Sequence, residues 1–563
     1  MALREYQLTN FKAFAGPETI PIRPITLIYG PNSSGKSSIL QSLLLLKQTL
    51  EEADSSTPLL PKGKLVDLGD YREFIHRHDV NKQFSFQATF VPDVEEAEPV
   101  WVKEILKAID SALVGLKVVF KHDEKTKMVG FFSAEVFIGD KSLPAISYSR
   151  IGRLKKGSDF VARTEVHPES GFWPTWLEGM KHYIEEQLKD IDRISYKEGD
   201  SEKELRHDLG NYSFEEAMRD LWWKNVFSYV GCQNFLPAKQ SSPPAEYEKR
   251  LVEGLKQLDE ELEQSEALRE EAAQPQQSQS SSPADSLRKR TAGEGSPFAA
   301  TIFYPSDYGR EPFEQGLDVL PFTLQVCSAF RQLVEEMVYL GPLRSNPERY
   351  YTFSGNLSEQ VGQFGERMPD VLFRNREVLE RINAEFDRFQ LRYELKLSEL
   401  KDEDSNLSNV FALRLVDKGT SVSASIRDVG FGVSQVLPII VQSLLSQNKT
   451  LLIEQPEIHL HPALQSELGD LFIKSALGEQ KNTFILETHS EHLMLRILRR
   501  IRETTEGELE PGLTPIRPED VAVLYVLPGK DSAKVIEIPI RPDGEFAKRW
   551  PQGFFTDRAK ELF

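Results

Sequence analysis

Residues Gly30-Pro31-Asn32-Ser33-Ser34-Gly35-Lys36-Ser37 fit the spacing G-x-x-x-x-G-K-[ST] at every position. Phosphate chemistry requires that pattern. Glycines let the backbone close around phosphate oxygens, and successive N–H groups point at them from the start of a helix. The lysine reaches the outer phosphates, and the hydroxyl after it faces a magnesium ion. Asn32, Ser33, Ser34, Gly35, Lys36, Ser37 and Ser38 are therefore the expected cradle of a nucleoside triphosphate, with Ser37 also on the metal. Such a loop needs an acid at the end of another buried strand. The apolar run Thr450-Leu451-Leu452-Ile453 ends in Glu454, more than 400 residues downstream, and Glu454 is the expected second metal ligand. A further apolar run, Phe484-Ile485-Leu486, ends in Glu487-Thr488-His489-Ser490, where His489 is placed to hydrogen-bond a γ-phosphate. Between them, Asp428-Val429-Gly430-Phe431-Gly432-Val433-Ser434-Gln435 supplies another glycine loop opening a helix, with amides and a Ser434 hydroxyl suited to a second phosphate group.

The surrounding pattern supplies the elements that must position these groups. Ile25–Tyr29 is a short β-rich run ending at Gly30, and a helical pattern covers Lys36 to about Leu50. Strand, glycine loop and helix form half of an α/β unit. FSFQATFV, LKVVFKH and MVGFFSAEVFI, within 81–166, read as strands of an antiparallel sheet. From Glu246 to Ala273 the sequence is charged and helix-prone. Leu251, Leu255, Leu258 and Leu262 recur at heptad-like spacing for under two heptads, which fits a surface helix or short helical hairpin better than a coiled coil. QPQQSQSSSPADS reads as a low-complexity linker. Helical periodicity resumes at Leu320 to Tyr339, and strands are expected at 408–417, 450–453, 483–486, 520–526 and 534–539.

The 563 residues leave room for more than one domain. Acids outnumber bases by 87 to 68, a formal charge of -19, which argues against coating nucleic acid by bulk electrostatics while leaving room for a local basic groove. Two cysteines, Cys232 and Cys327, make neither a disulfide framework nor a cysteine metal site and suit a reducing compartment. The first residues lack the layout of a signal peptide, and no run approaches the roughly 20 apolar residues of a membrane span. A cytoplasmic chain with no membrane partner is expected. His76 and His78 lack acidic or cysteine companions and read as structural, as does Asp67.

In this order and with these strands, the chain resembles an ABC-type ATPase of the branch that includes the structural-maintenance-of-chromosomes (SMC), RecF and overcoming-lysogenization-defect (OLD) proteins. Leu8–Phe14 is similar to that branch's opening strand, Glu454-Gln455-Pro456-Glu457-Ile458-His459-Leu460-His461-Pro462 to its Walker B segment, Gly432-Val433-Ser434-Gln435 to its signature motif, and Thr488-His489-Ser490 to its switch-histidine loop. Tyr339-Leu340-Gly341-Pro342-Leu343-Arg344 and the segments around Gly544 and Trp550 resemble a prokaryotic subgroup of AAA family ATPases with an uncharacterised C-terminal domain, several of which work in anti-phage defence. The resemblance implies an α/β fold: an ABC-type P-loop ATPase head, a mixed sheet with flanking helices, split by a large α/β insertion with a short helical arm. The implied division is an N-terminal lobe at 1–90, an insertion at 91–320 with a flexible linker at about 274–297, a C-terminal lobe at 321–510 and an extension at 511–563.

The same resemblance implies ATP and Mg²⁺ as cofactors, and a homodimer or higher oligomer in which Gly432, Ser434 and Gln435 complete the partner's ATP site. The usual catalytic glutamate follows the Walker B acid, but here that position is Gln455, and Glu454 replaces the usual aspartate. Glutamine orients water but accepts its proton poorly. Three readings stay open: slow or partner-stimulated hydrolysis, which the smooth run of the motif favours; Glu457 or His489 in the water-positioning role; or a substitution that traps the ATP-bound state. OLD-type relatives carry a nuclease after the ATPase, but the 74 residues after His489 show no acidic cluster, so an effector such as a nuclease is expected on a separate partner. The favoured function is an ATP-switched sensor or scaffold controlling that effector in anti-phage defence. The alternative is a DNA-binding repair-type clamp, whose basic candidates are Arg150, Arg153, Lys155 and Lys156, or Arg496, Arg499, Arg500 and Arg502. A transporter motor fits poorly.

Overall fold

The computed structural model describes residues 1–92 apart from 55, most of 113–153, the strands Phe160–Val166, Ser195–Glu198, Ser201–Glu204, Tyr229–Gln233 and Leu236–Ser241, residues 319–551 apart from 356–357 and 401–408, and a few single residues between. The helical arm expected at 246–273 and the linker at about 274–297 lie outside the described residues.

The glycine loop hangs from the middle of a six-stranded sheet with the order Val338–Leu340, Thr450–Glu454, Thr483–Glu487, Ile25–Tyr29, Val521–Leu527, Lys534–Glu537. The first five strands run parallel and the last is antiparallel. Strands in the middle of such a sheet are covered on both faces, which is why they read as unbroken apolar runs. Successive side chains point to opposite faces. Leu27, Ile453, Leu486 and Val523 enter one core, while Ile28, Leu452, Ile485 and Leu524 enter the other.

Two strand pairings cross the divisions drawn from the sequence. Val521–Leu527, expected in an extension beginning at 511, pairs parallel with the loop-bearing strand, from Val521 opposite Ile25 to Tyr525 opposite Tyr29. The run VAVLYVL announces a buried strand, but nothing in its local pattern names the partner. Likewise, six described strands of 91–320, from Val114–Asp123 to Leu236–Ser241, continue a nine-stranded antiparallel sheet that also holds Ala2–Thr9, Glu18–Pro21 and Phe84–Val91, while Ser195–Glu198 and Ser201–Glu204 pair with each other. Val114–Asp123 pairs directly with Phe84–Val91, so a cut at 90 falls inside one hydrogen-bonded surface.

Helix Lys36–Glu52 is buried along nearly its whole length, on the same side of the six-stranded sheet as this large sheet. Helix Val319–Glu335 closes that core. Phe330 stacks on Phe86 with ring centroids 5.7 Å apart, the Tyr148 hydroxyl bonds Thr323, and Lys47 donates to the Glu335 carbonyl. The opposite face carries helices Met368–Arg374, Val378–Arg388, Phe431–Leu445, Pro462–Leu477 and Glu491–Glu506, with a small antiparallel sheet built on Val410–Asp417.

Phe330 is therefore the plug between the large sheet and its covering helix. Phe330→Ala is expected to lower stability by about 3–5 kcal/mol, the usual effect of emptying a buried phenyl site, measured by urea unfolding. An unchanged midpoint would contradict its placement.

Candidate functional site

The phosphate loop owes its shape to two glycines. Gly30 and Gly35 have φ of 149° and 108°, in a region that L side chains avoid. A Cβ at Gly30 would sit 2.7 Å from the Val526 carbonyl oxygen, and one at Gly35 would sit 2.9 Å from the Ala13 Cβ. Ser33 also takes a left-handed φ of 60°. Helix Lys36–Glu52 starts at Gly35 without a side-chain cap and has no acid in its first turn. Its first N–H groups are left to an anion, where the helix dipole also favours negative charge. Asn32 and Ser33 are exposed, while Ser34 and Ser38 are buried. The Ser34 hydroxyl is buried with no partner, one of the unsatisfied polar atoms that proteins normally keep for a reason.

Lys36, only 4% exposed, folds back so that its ammonium donates to the Gly30 and Pro31 carbonyls at 3.1 and 3.0 Å. Its Nζ lies 3.9 Å from Glu487 Oε1. Burial lowers the lysine's pKa, and Glu487 and Glu457 oppose the shift.

Glu454 and Glu487 end adjacent parallel strands in register, and Glu487 is also opposite Ile28 of the loop-bearing strand. Leu452 and Ile485, two residues before each, face the core that holds the Lys36 helix, so alternation turns both carboxylates toward that helix. Tyr339 donates to Glu454 Oε1 at 2.9 Å. Burial, reinforced by Glu487, raises the Glu454 carboxyl to about 7 against the pull of Tyr339 and Arg344. Glu487 is shifted upward by burial, with a Ser37 hydrogen bond and Lys36 opposing.

Glu457 has both oxygens engaged. Oε2 accepts from the Thr488 hydroxyl at 2.8 Å and Oε1 from the His489 backbone N–H at 2.7 Å. This carboxylate ties the Walker-B-like turn to the histidine loop. Burial lowers the His489 pKa and Lys36 lowers it further, favouring the neutral imidazole. Gln455 has a left-handed φ of 45°, and its N–H donates to the Glu487 carbonyl at 2.7 Å.

Arg344 holds that turn from beneath. Its guanidinium donates to the carbonyls of Glu454 and Gln455 at 3.1 Å each. Burial lowers its pKa to about 10, with Glu457 and Glu454 among the groups resisting. Its backbone N–H is 3.3 Å from Gln435 Oε1. Gln435 is 1% exposed, so it supports the signature-like loop from inside. Ser434 is buried too, and the Gly432 backbone runs close to the His459 carbonyl.

The structure thus gathers Lys36, Ser37, Glu454, Glu457 and His489, drawn from both ends of the chain. Sequence reasoning gave no role to Glu487, Tyr339 or Arg344. The signal for Glu487 was present, since an acid ends its apolar strand just as Glu454 ends the neighbouring one. The basic residues proposed for DNA are a different case. Arg496 pairs with Asp470 and Glu467, Arg499 with Glu503, and Arg500 with Asp470 and Glu503. His76 and His78 each bond a backbone carbonyl through Nδ1, of Lys12 and Arg72 respectively.

Two family models match the sequence. One, an AAA ATPase domain, spans residues 1–221, and the other, an AAA domain described as putative AbiEii toxin, Type IV TA system, spans 238–495. No curated protein matches. Among solved structures, the SMC head domain from Thermotoga maritima is 8% identical, with 96% of this chain and 100% of that chain covered at a TM-score of 0.34. The Smc head domain of Pyrococcus furiosus, with an extended coiled coil and bound to the C-terminal domain of ScpA, is 12% identical, with 100% and 98% covered at 0.33. That of Pyrococcus yayanosii, with a coiled coil and joint, is 12% identical, with 95% and 97% covered at 0.32.

The raised carboxyls set a pH dependence. A carboxyl whose folded pKa lies above its unfolded value stabilises the fold below the unfolded pKa, and that contribution is lost as pH rises through the folded one. For Glu454 the window runs from 4.5 to about 7. In EDTA, Glu454→Gln is expected to gain melting temperature relative to the parent chain as pH climbs through that window. A constant difference in thermal unfolding from pH 4.5 to 8 would contradict it.

Proposed function

We propose a slowly hydrolysing, ATP-switched control protein of the branch that includes the SMC and RecF proteins, on the premise that the chain is an AAA-type ATPase, which the models matching residues 1–221 and 238–495 support. Gln455 carries this reading. It stands directly after Glu454, where a carboxylate would take the proton of the attacking water. An amide there orients water without becoming a base, and Glu457 is already engaged by Thr488 and His489. The site is thus furnished to bind and position a triphosphate more completely than to split it.

In this reading, Lys36 leaves the loop carbonyls for phosphate oxygens, the amides of Asn32 to Ser38 wrap the phosphates, and neutral His489 donates a hydrogen bond to the γ-phosphate without adding charge. Ser37 and Glu454 offer hard oxygen donors, a set that suits Mg²⁺, which binds through one or two carboxylates plus phosphates. When bound, Mg²⁺ neutralises charge on the phosphates. A second copy of the chain would meet the nucleotide through Gly432 and Ser434, with Gln435 bracing the loop against Arg344. Closure of that dimer on ATP is the switch, and a separate effector such as a nuclease or toxin is its output. The toxin–antitoxin wording of one matching model supports placing the pair in defence. The -19 charge favours a protein partner over nucleic acid. The acids paired with Arg496, Arg499 and Arg500 weaken the DNA-clamp alternative.

Installing the missing base tests the reading. Gln455→Glu is expected to raise ATP turnover by roughly 10²-fold, the low end for a positioned general base, in a phosphate-release assay with the purified chain. Brisk turnover by the parent chain that Gln455→Glu does not increase would overturn it.

A further inference from the structure

We propose that Glu487 is a ligand of the divalent cation at this site, and that it makes nucleotide binding dependent on that cation. The proposal rests on the ATP reading and adds a residue to it. Glu487 ends the strand lying between Glu454's strand and the loop-bearing strand, in register with Glu454 on one side and Ile28 on the other. Of the two strand-end acids it is therefore the one nearer the phosphate loop. The residue is 5% exposed. Its Oε2 is buried and has no partner.

A counter-ion role for Lys36 does not account for this. The lysine's short contacts go to the Gly30 and Pro31 carbonyls, and its distance to Glu487 Oε1 is 3.9 Å, long for a committed pair. The position is also electrostatically unfavourable for metal-free nucleotide. A buried carboxylate beside the lysine and hydroxyl that receive phosphates repels a polyanion, and low local dielectric strengthens the repulsion. A cation between the two anions turns that repulsion into two attractions and supplies Oε2 with the partner it lacks. Tyr339 occupies one oxygen of Glu454, leaving its other oxygen as the neighbouring donor.

The two roles give opposite outcomes for Glu487→Gln. Affinity for a non-hydrolysable ATP analogue is measured by calorimetry in EDTA and in Mg²⁺. The parent chain is expected to bind at least about tenfold tighter with Mg²⁺, in line with the loss on disturbing a metal's ligand set. In Glu487→Gln the ratio collapses toward one, and metal-free binding tightens because the repelling charge is gone. An unchanged ratio reduces Glu487 to a counter-ion and overturns the proposal. A parent chain that binds no analogue in either buffer defeats the ATP reading itself, a separate outcome. A second variant does not depend on how the glutamine folds. Glu487→Cys places a soft thiolate on the cation and is expected to shift the preference for analogue binding from Mg²⁺ toward Cd²⁺ relative to the parent chain. No shift in metal preference overturns direct ligation.

Discussion

Strand Ile25–Tyr29 is hydrogen-bonded along both edges by strands from the far end of the chain, and the rest of the site depends on that insertion. The Thr483–Glu487 edge brings Glu487 and His489 beside the phosphate loop. The Val521–Leu527 edge sets the Val526 carbonyl against Gly30, leaving no room for a side chain there. The sheet sets a loop near residue 30 beside acids beyond residue 450, the placement that one shared nucleotide would require. Each central strand feeds two cores in alternation, so the sheet is the common wall of the molecule.

Within that frame the electrostatics are tense. Glu454, Glu457 and Glu487 are all shifted toward their neutral forms, chiefly by burial. Lys36 and Arg344 face them, both lowered in pKa for the same reason. Burying so many like charges is unfavourable on its own. Such an arrangement is expected where a cation and a polyanion join the set, and perturbed groups of this kind concentrate at functional sites. Arg344 plays a quieter part by satisfying the carbonyls at the end of the Glu454 strand, where Gln455 turns left-handed.

Much of this was legible in the sequence because the phosphate loop, the two apolar strands ending in acids, and the histidine loop are local patterns. Each states its own geometry within about eight residues. Pairing is not local. VAVLYVL reads as a strand without naming Ile25–Tyr29 as its neighbour, and LKVVFKH reads as a strand without revealing that it extends a sheet begun by Ala2–Thr9 and Phe84–Val91. Both pairings cross divisions drawn from the sequence for that reason. Arg344 and Glu487 were visible as letters, but their roles come from neighbours more than 90 residues away for one and more than 400 for the other. The bonds of Glu457 to the histidine loop are tertiary as well, so its own neighbourhood in the sequence does not announce them.

The central claim is that one nucleotide draws on both ends of the chain. Hydrogen–deuterium exchange with and without Mg²⁺ and a non-hydrolysable ATP analogue tests it most directly. Slowed exchange is predicted in three segments together: the loop from Gly30 to Ser38, the turn from Glu454 to Glu457, and the run from Glu487 to His489. Protection of the first segment alone, with the other two unchanged, would contradict the account.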